Sequence, residues 1–304
     1  MKSIVVLLST YNGEKYLTCQ IDSLMSQEGV HVDVLARDDG SKDSTISILK
    51  DYSAKYSNFS YYIGSNCGPA KSFLDLVKNA PEADYYAFCD QDDVWDKDKL
   101  ANAVKLLNEL EDDKPNLYHS NLRIVDENLN FYRMSHSTQL YNPNRFSALA
   151  ENLCTGCTAV FNYKAKELIT DRRPQYCTMH DTWVYMMCML LGNVVYDEIP
   201  HISYRQHDNN VVGTYLKKNN WKVIKERVLR LFKRDLQPRY MNAKNFYDCF
   251  ESVMDDECKK KILKIVNYKR NFGDRMSLFF DKEIKATTKY GNLRFRLHIL
   301  WGTV

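Results

Sequence analysis

Three aspartates, Asp90, Asp92 and Asp93, crowd into four residues directly after an apolar, aromatic run of strand length that ends at Cys89. Like charges a few ångströms apart raise one another's pKa unless a cation shares the site. Carboxylate oxygens suit magnesium or manganese, which bind one or two carboxylates and leave coordination positions for substrate phosphates. Taken alone, the turn has two interpretations, a divalent-cation site or a solvated acidic bend. Other features of the chain must decide between them.

The composition is that of a globular protein, with 304 residues, 44% hydrophobic and 27% charged, enough for one large domain and an appendage. A net charge of +3 is too small to favour nucleic-acid binding. No apolar run reaches the roughly 18–20 residues of a membrane span, and the apolar start is too short for a signal peptide. The nine scattered cysteines favour a reduced, cytoplasmic compartment. Cys154 and Cys157 have metal-ligand spacing, but no second pair follows, so a loop of small residues is expected there.

Strand and helix patterns alternate four times in the first third of the chain. The predicted strands are 4–8, 32–36, 59–63 and the run that ends at Cys89. This alternation predicts a parallel α/β sheet, in which ligands bind beyond the carboxyl ends of the strands. Polar clusters at Thr10–Asn12, Asp38–Asp39 and Asp90–Asp93 all follow such strands. We therefore expect the three clusters to converge on one crevice.

Beyond Pro115 the alternation becomes irregular. The sequence predicts strands at 117–119 and 122–125 around a turn at 126–128, then further strands at 158–161, 194–196 and 199–204. The polar, aromatic segment 131–144 is expected to be a loop over the site, and a helix is expected at 180–190. Residues 293–299 alternate strictly, so helix and strand both remain open there.

From Tyr215 the chain becomes basic. Apolar residues that include Trp221 and Phe232 fall at helical spacing, and Lys and Arg cover most of the remaining positions up to Arg234. Two interpretations remain, an interfacial helix attracted to anionic lipid or a helix packed on its own domain with a solvated basic face. We divide the chain at this point, into residues 1–214 and a mostly helical, basic extension at 215–304.

Seven motifs, taken in order, resemble those of the family-2 glycosyltransferases, and within them the bacterial rhamnosyltransferase-like branch. The motifs are Ser9–Gly13, Arg37–Ser41, Asn66–Phe73, Phe88–Trp95, Thr155–Cys157, His180–Asp181 and Tyr204–Gly213. Each motif alone is weak, but seven in order over two-thirds of the chain are specific for the family, though not for a sugar. The resemblance implies a GT-A fold, a Rossmann-like α/β nucleotide-sugar-binding domain, over residues 1–214, followed by the C-terminal helical extension.

The resemblance also implies direct displacement at the anomeric carbon with inversion, and a nucleoside diphosphate as the leaving group. A divalent cation, Mn²⁺ or Mg²⁺, neutralises the charge that develops on the leaving phosphate oxygens. By this analogy Asp93 is the first metal ligand, Asp92 contacts the metal or the ribose, and His207 binds the metal or the pyrophosphate. For Asp90 two interpretations stay open, a further partner of the metal or a carboxylate that binds nearby backbone N–H groups.

Asp39 matches the family position that accepts a hydrogen bond from the imide N–H of uracil or thymine, which implies a UDP- or dTDP-sugar donor. By the same resemblance three further residues line this pocket, Thr10, Tyr11 and Asn12. Arg205 is the candidate diphosphate clamp, because its planar guanidinium can bind two phosphate oxygens at once. We interpret Asp38 differently, as a turn former that holds the bend at Gly40.

Asp181 matches the acidic residue that acts as general base in this family and deprotonates the acceptor hydroxyl. A carboxylate is a weak base, so this role requires hydrogen-bond reach and burial that raises its pKa. The competing interpretation is an aspartate of the first helical turn, favoured by the positive end of the helix dipole. His180 either orients Asp181, contacts the acceptor or is a surface histidine. Trp95 and Trp183 either shape a sugar pocket or belong to the core.

Together these features imply an inverting, metal-dependent glycosyltransferase that acts on a glycan, expected to be lipid-linked, in bacterial surface polysaccharide synthesis. The expected location is the cytoplasm, peripheral on the inner face of the membrane. One alternative is a nucleotide-sugar-binding or scaffold protein that has lost turnover, against which the intact aspartates argue. Another is a phosphoryl-transfer enzyme, but the sequence has no glycine-rich phosphate loop of the P-loop kind.

Overall fold

A mixed seven-stranded sheet forms the centre of the part of the chain that the computed structural model describes, residues 1–135, 143–207 and 237–304. The strands are β1 Ser3–Thr10, β2 His31–Asp38, β3 Phe59–Ile63, β4 Tyr85–Cys89, β5 Val94–Trp95, β6 Asn116–Ser120, β7 Arg123–Val125, β8 Phe131–Met134, β9 Val160–Asn162, β10 Asn193–Asp197 and β11 Ile202–Arg205. The helices are α1 Leu17–Met25, α2 Thr45–Lys55, α3 Pro69–Asn79, α4 Lys99–Leu107, α5 Tyr163–Asp171, α6 His180–Leu191, α7 Pro238–Phe250, α8 Asp256–Asn267, α9 Phe272–Phe279 and α10 Lys289–Trp301. The basic helix expected near Trp221 and the division at 214/215 lie outside the described residues.

The central sheet has the strand order β10-β6-β9-β4-β1-β2-β3, and all neighbours run parallel except for β9, which is antiparallel to both β4 and β6. The predicted parallel-rich α/β sheet is therefore confirmed. β1 reads as a continuous apolar run because helices cover both faces of the sheet. Ile4, Val6 and Leu8 belong to one hydrophobic core, while Val5 and Leu7 belong to the other.

A second sheet of four strands, in the order β5-β11-β7-β8, stands beside the acidic turn. Two expectations were wrong here. The predicted strands near Tyr118 and Ile124 do not flank one turn, because β6 joins the central sheet while β7 joins the second. The start of the expected loop, Phe131–Met134, is strand β8, whose four side chains are all exposed and so lack the alternation that marks a half-buried strand.

β11 pairs antiparallel with β5, with Ile202 opposite Trp95 and Ser203 opposite Val94. The acidic turn immediately precedes β5. The pairing of β11 with β5 therefore places the residues that follow β11 beside the acidic turn. Because β5 contains two residues only, its pairing leaves little trace in the sequence.

The C-terminal helices share a core with the central domain. Trp183 of α6 packs against Phe246 and Phe250 of α7, with ring centroids 5.6 Å and 5.9 Å away. The ambiguous segment near the C-terminus is helical as part of α10, which ends in the left-handed residue Gly302. Among the described residues, no helix combines the length and apolar character needed to cross a bilayer.

Candidate active site

Three turns that follow β1, β2 and β4 are tied together by side-chain hydrogen bonds. The N–H of Tyr11 donates to Oε1 of Gln91 at 2.8 Å, and Nε2 of Gln91 donates to the Tyr11 carbonyl at 3.1 Å. On the other side, the N–H of Asn12 donates to the Ser41 hydroxyl, and the Asn12 side chain accepts from the N–H of Lys42, at 2.8 Å and 2.9 Å. The expected convergence of the three polar clusters on one crevice is confirmed.

Asp38 holds the turn after β2. Its Oδ2 accepts hydrogen bonds from the N–H groups of Gly40 and Ser41, at 3.0 Å and 2.8 Å, and its Oδ1 accepts from the Thr10 hydroxyl at 3.0 Å. Gly40 has φ +84°, a conformation that glycine adopts without strain. The interpretation of Asp38 as a turn former is therefore confirmed, and the hydroxyl of Thr10 is buried against this carboxylate.

Asp39 lies almost fully buried at the base of the same crevice and is held from two sides. Its Oδ1 pairs with the Arg37 guanidinium at 2.5 Å. Its Oδ2 accepts from the N–H groups of Cys67 and Gly68, each at 3.0 Å. Arg37 and this loop were not singled out from the sequence, although both fall inside the quoted motifs. Their contacts fix the carboxylate as an acceptor at a strand end, which is the arrangement that recognition of an imide N–H requires.

The acidic turn meets the segment after β11 at His207. Nε2 of His207 lies 2.8 Å from Oδ2 of Asp92, and both side chains keep 14% exposure. The ring of Tyr16 packs against the imidazole, with centroids 5.0 Å apart. A carboxylate and an imidazole that both reach the surface form a donor set suited to a divalent first-row cation, so these residues fit the expected metal.

Asp93 lies beneath this pair and has no solvent exposure. Its Oδ1 accepts from the backbone N–H of Arg205 at 3.1 Å, while Oδ2 has no hydrogen-bond partner among the described residues. Burial and the charges of Asp92 and Asp90 hold the pKa of Asp93 well above its usual range. One carboxylate oxygen each of Asp90 and Asp93 and the Sγ of Cys157 lie within 4.8 Å of one another. The sequence predicts Asp93 as the first metal ligand and Asp92 as the next. In the structure, however, Asp93 is fully buried while Asp92 is partly exposed.

Arg205 has a different position from the expected diphosphate clamp. Its guanidinium is buried and donates to the carbonyl of Asp92 at 2.8 Å and to the carbonyl of Glu127 at 2.5 Å. It also stacks over the Tyr16 ring, 4.6 Å from the centroid. Through these contacts the Arg205 guanidinium connects the acidic turn to the turn after β7. It binds backbone oxygens at both turns.

Asp181 lies in the first turn of α6 and is partly exposed to the crevice. Its Oδ1 accepts from the N–H of Thr182 at 2.6 Å, and burial raises the pKa of Asp181 to about 6. Burial, then the charges of Asp92 and Asp181, raise the pKa of Asp90 to about 7. The Gly156–Cys157 loop joins the two regions, since the Cys157 Sγ lies within 4.8 Å of carboxylate oxygens of Asp90 and Asp93, and a Cβ at Gly156 would stand 3.5 Å from the Cβ of Asp181.

His180 is a core residue, so the surface histidine, one of its three interpretations, was wrong. Its ring stacks on Phe73 with centroids 3.9 Å apart and meets Phe88 edge-on at 4.6 Å. Burial lowers the pKa of His180 to about 3, so the ring is neutral. The backbone of Gly156 lies against it, since a Cβ there would stand 2.7 Å from Nε2. His180 thus seats the first turn of α6, and with it Asp181, against the Gly156 loop.

Trp95 and Trp183 both belong to the core, with 2% and 1% exposure, so neither lines a sugar pocket. The expected loop of small residues at Cys154–Cys157 leads into a short 3-10 turn, Gly156–Thr158, and all nine cysteines are free thiols.

The sheet order and the helical C-terminal region match the GT-A fold expected from the sequence, with the acidic turn at the carboxyl edge where such sheets bind ligands. Comparison with known proteins names the family. The model for Glycosyl transferase family 2 matches residues 5–169, more than half of the sequence, and the chain belongs to that family. It is a glycosyltransferase.

Particular relatives agree with this assignment. The dTDP-rhamnosyl transferase RfbG of Shigella flexneri is 29% identical over 221 residues, covering 68% of this chain and 73% of that protein. S. aureus TarS 1–349, solved in complex with UDP-GlcNAc, superposes with TM-score 0.56 at 18% identity, covering 91% of this chain and 82% of that chain. The mannosyltransferase PcManGT of Pyrobaculum calidifontis, solved with GDP-Man and Mn2+, gives TM-score 0.50 at 15% identity, covering 90% and 71%.

Proposed function

We propose that this glycosyltransferase transfers a sugar with inversion, in a metal-dependent reaction, from a UDP- or dTDP-sugar to a glycan acceptor. One observation carries the proposal. The Gly156–Cys157 loop lies against both the acidic turn and Asp181, so the turn and the candidate base stand close together. A single-displacement reaction needs a leaving-group site and a base at opposite ends of the same pocket.

The cation site consists of Asp92 and His207, which reach the surface, with Asp93 as a buried partner beneath them. When bound, Mn²⁺ or Mg²⁺ supplies positive charge for the phosphate oxygens of the leaving nucleoside diphosphate. Arg205 braces the carbonyl of Asp92 and so keeps the turn in place. Asp90 lies beside this set and joins it to the acceptor side of the crevice.

The donor base binds against Asp39, whose carboxylate is fixed by Arg37 and by the N–H groups of the loop at Cys67. A fixed acceptor at this position favours bases with a ring N–H, which uracil and thymine present as an imide, and disfavours cytosine and adenine, which lack one. Thr10, Tyr11 and Asn12 line the pocket, and Gln91 joins that pocket to the cation site. The names of two relatives support the two donor nucleotides, since TarS was solved with UDP-GlcNAc and RfbG is a dTDP-rhamnosyl transferase.

Asp181 is the general base. Its raised pKa places it closer to neutrality than an ordinary carboxylate, which strengthens it as a base while it remains ionised at pH 7. The position in the first turn of α6 also favours the carboxylate through the helix dipole, so the two interpretations of this residue are compatible. The acceptor hydroxyl gives its proton to Asp181 as its oxygen attacks the anomeric carbon.

The acceptor is a glycan of bacterial surface polysaccharide synthesis, lipid-linked at the inner face of the membrane. RfbG supports this part of the proposal as a related rhamnosyl transferase.

A donor panel tests the proposal. UDP- and dTDP-sugars are compared with GDP- and CDP-sugars for binding and for slow hydrolysis, with Mn²⁺ present and after chelation. Metal-dependent turnover restricted to uracil or thymine donors is the expected result. Equal turnover of a CDP-sugar contradicts the role of Asp39, and donor binding without hydrolysis or transfer to any glycan favours the scaffold alternative.

A further inference from the structure

Exposed apolar side chains concentrate at the C-terminal end of the chain. Of the sixteen large hydrophobic residues that are exposed in the described part of the chain, six lie between Phe272 and Trp301. They are Phe272, Phe280, Tyr290, Leu293, Leu300 and Trp301. Single exposed apolar residues need no explanation, but a cluster of this density marks an interaction surface.

On α10 these residues follow helical spacing. Tyr290, Leu293 and Trp301 lie three and eight positions apart, with the half-buried Leu297 between the last two, so they share one face. The opposite face of α10 supplies Phe295 and Ile299 to the core. The helix is therefore apolar on two faces, and of these the described residues cover only the face that carries Phe295 and Ile299.

The α9 helix extends the same surface. The guanidinium of Arg275 donates to the Leu300 carbonyl at 3.4 Å, which places the end of α10 against α9. The guanidinium of Arg296 lies over the Phe279 ring, 5.3 Å from its centroid, and Phe280 follows directly, with 69% exposure. We call the exposed side chains of α9 and α10, together with Phe280, the α9–α10 face.

The segment that carries this face is rich in basic residues. Residues 269–304 contain eight Lys and Arg and three acidic residues, Asp274, Asp281 and Glu283. Of these acids, Asp281 is buried against Lys261 and Lys264, and Glu283 also pairs with Lys261. The lysines and arginines beside the exposed apolar residues, including Lys289 and Arg294, consequently meet little opposing charge from this segment.

We infer that the α9–α10 face docks on an anionic lipid bilayer. Exposed Tyr, Trp, Phe and Leu can enter the headgroup region, while flanking Lys and Arg contact lipid phosphates. A protein partner or a second copy of the chain also fits an apolar face, but the excess of Lys and Arg in this segment, with Lys289 and Arg294 exposed, favours an anionic surface over this chain's own basic surface. This inference does not depend on the proposed transfer reaction.

The docking surface is connected to the active site. Oε1 of Glu151 accepts from the N–H of Thr287, at the start of the segment that leads into α10, at 2.5 Å. The next residue, Asn152, donates to the Thr182 hydroxyl, beside the candidate base, at 3.2 Å. A bilayer bound to the α9–α10 face would therefore have a fixed orientation relative to Asp181.

Vesicle sedimentation tests the inference with the full chain. Vesicles of phosphatidylcholine with a third phosphatidylglycerol are compared with phosphatidylcholine alone, and Tyr290→Ser/Leu293→Ser and Lys289→Glu/Arg294→Glu are compared with the wild type. The matched controls are Ile199→Ser, at a similarly exposed apolar residue, and Lys50→Glu/Lys105→Glu, at exposed lysines elsewhere. Thermal melts verify that every variant is folded.

We expect binding to the anionic vesicles only, a loss of about tenfold or more in partition for both test variants, and no loss for the controls. Equal binding to both vesicle types, equal losses in the controls, or no binding at all overturns the inference. The same holds if light scattering finds a dimer that the Tyr290→Ser/Leu293→Ser variant dissociates, because the face is then an interface between two copies.

Discussion

The imidazole Nε2 of His207 lies 2.8 Å from the Asp92 carboxylate, although 115 positions separate the two residues in the chain. The contact exists because β11 pairs with the two-residue strand β5. This pairing places the end of β11, in the four-stranded sheet, beside the carboxyl edge of the central sheet. Two residue types that bind first-row divalent cations thus meet at the surface of the crevice.

We expect His207→Ala to weaken Mn²⁺ binding by about tenfold or more, because the imidazole is one of two exposed ligand groups. The measurement is a Mn²⁺ titration of donor hydrolysis, in which the midpoint should shift upward while saturating metal restores part of the rate. His31→Ala is the control, since that histidine is exposed at the start of β2. If the Mn²⁺ concentration at the midpoint is unchanged in the His207 variant, His207 is not a metal ligand.

Asp181→Asn should lower kcat by about 10²–10⁴-fold and leave donor affinity unchanged, because a general base acts on the acceptor in the transition state. The wild-type enzyme should also lose activity as the pH falls through about 6, where the buried carboxylate takes up a proton. The check is a kcat/KM profile over pH with a donor-binding titration beside it. A variant that transfers sugar at the normal rate rules out the base assignment.

Gln91→Met keeps the size of the side chain but removes both hydrogen bonds to the Tyr11 backbone. We expect the donor KM to rise about three- to tenfold, since the turn that carries the cation site loses its attachment to the base pocket. The melting temperature should change little, because water can replace hydrogen bonds at this exposed position. Asn79→Ala, on the surface of α3, serves as the control, and an unaltered KM would show that the attachment is dispensable.

The central sheet could be predicted because β1 and β4 are continuous apolar runs, which only a strand covered on both faces explains. The crevice followed from the position of polar clusters after those strands. The relative depth of Asp92 and Asp93 could not be predicted, since adjacent residues of a turn point in directions that depend on its backbone. The burial of His180 was missed for a related reason, because its aromatic partners Phe73 and Phe88 come from distant elements.

The support of the Asp39 carboxylate was also beyond the sequence. Asp39 falls in a recognisable motif, but its partners Arg37 and the loop at Cys67 act through a buried ion pair and backbone N–H groups. Any residue type can donate a backbone N–H. The motif therefore identifies the Asp39 carboxylate as an acceptor, but not the N–H groups that orient it.

The last prediction concerns stability. His201 is buried where the turn after β10 meets α4, and it lies between Asp197, 3.3 Å from Nε2, and Asp98, 3.2 Å from Nδ1. The hydrogen bond to Asp197, and then the one to Asp98, raise the pKa of His201 above its ordinary value of 6.5. The protonated ring therefore stabilises the fold fully below pH 6.5, and this contribution is lost as the pH rises through the raised pKa.

His201→Gln should accordingly reduce the free energy of unfolding by about 1 kcal/mol or more near pH 6, and by less near pH 9, because the glutamine keeps hydrogen bonding but cannot carry the charge. Urea denaturation at the two pH values measures the difference, with His31→Gln as an exposed control. A loss of equal size at both pH values would mean that packing, and not the charge on the imidazole, is what His201 contributes between β10 and α4.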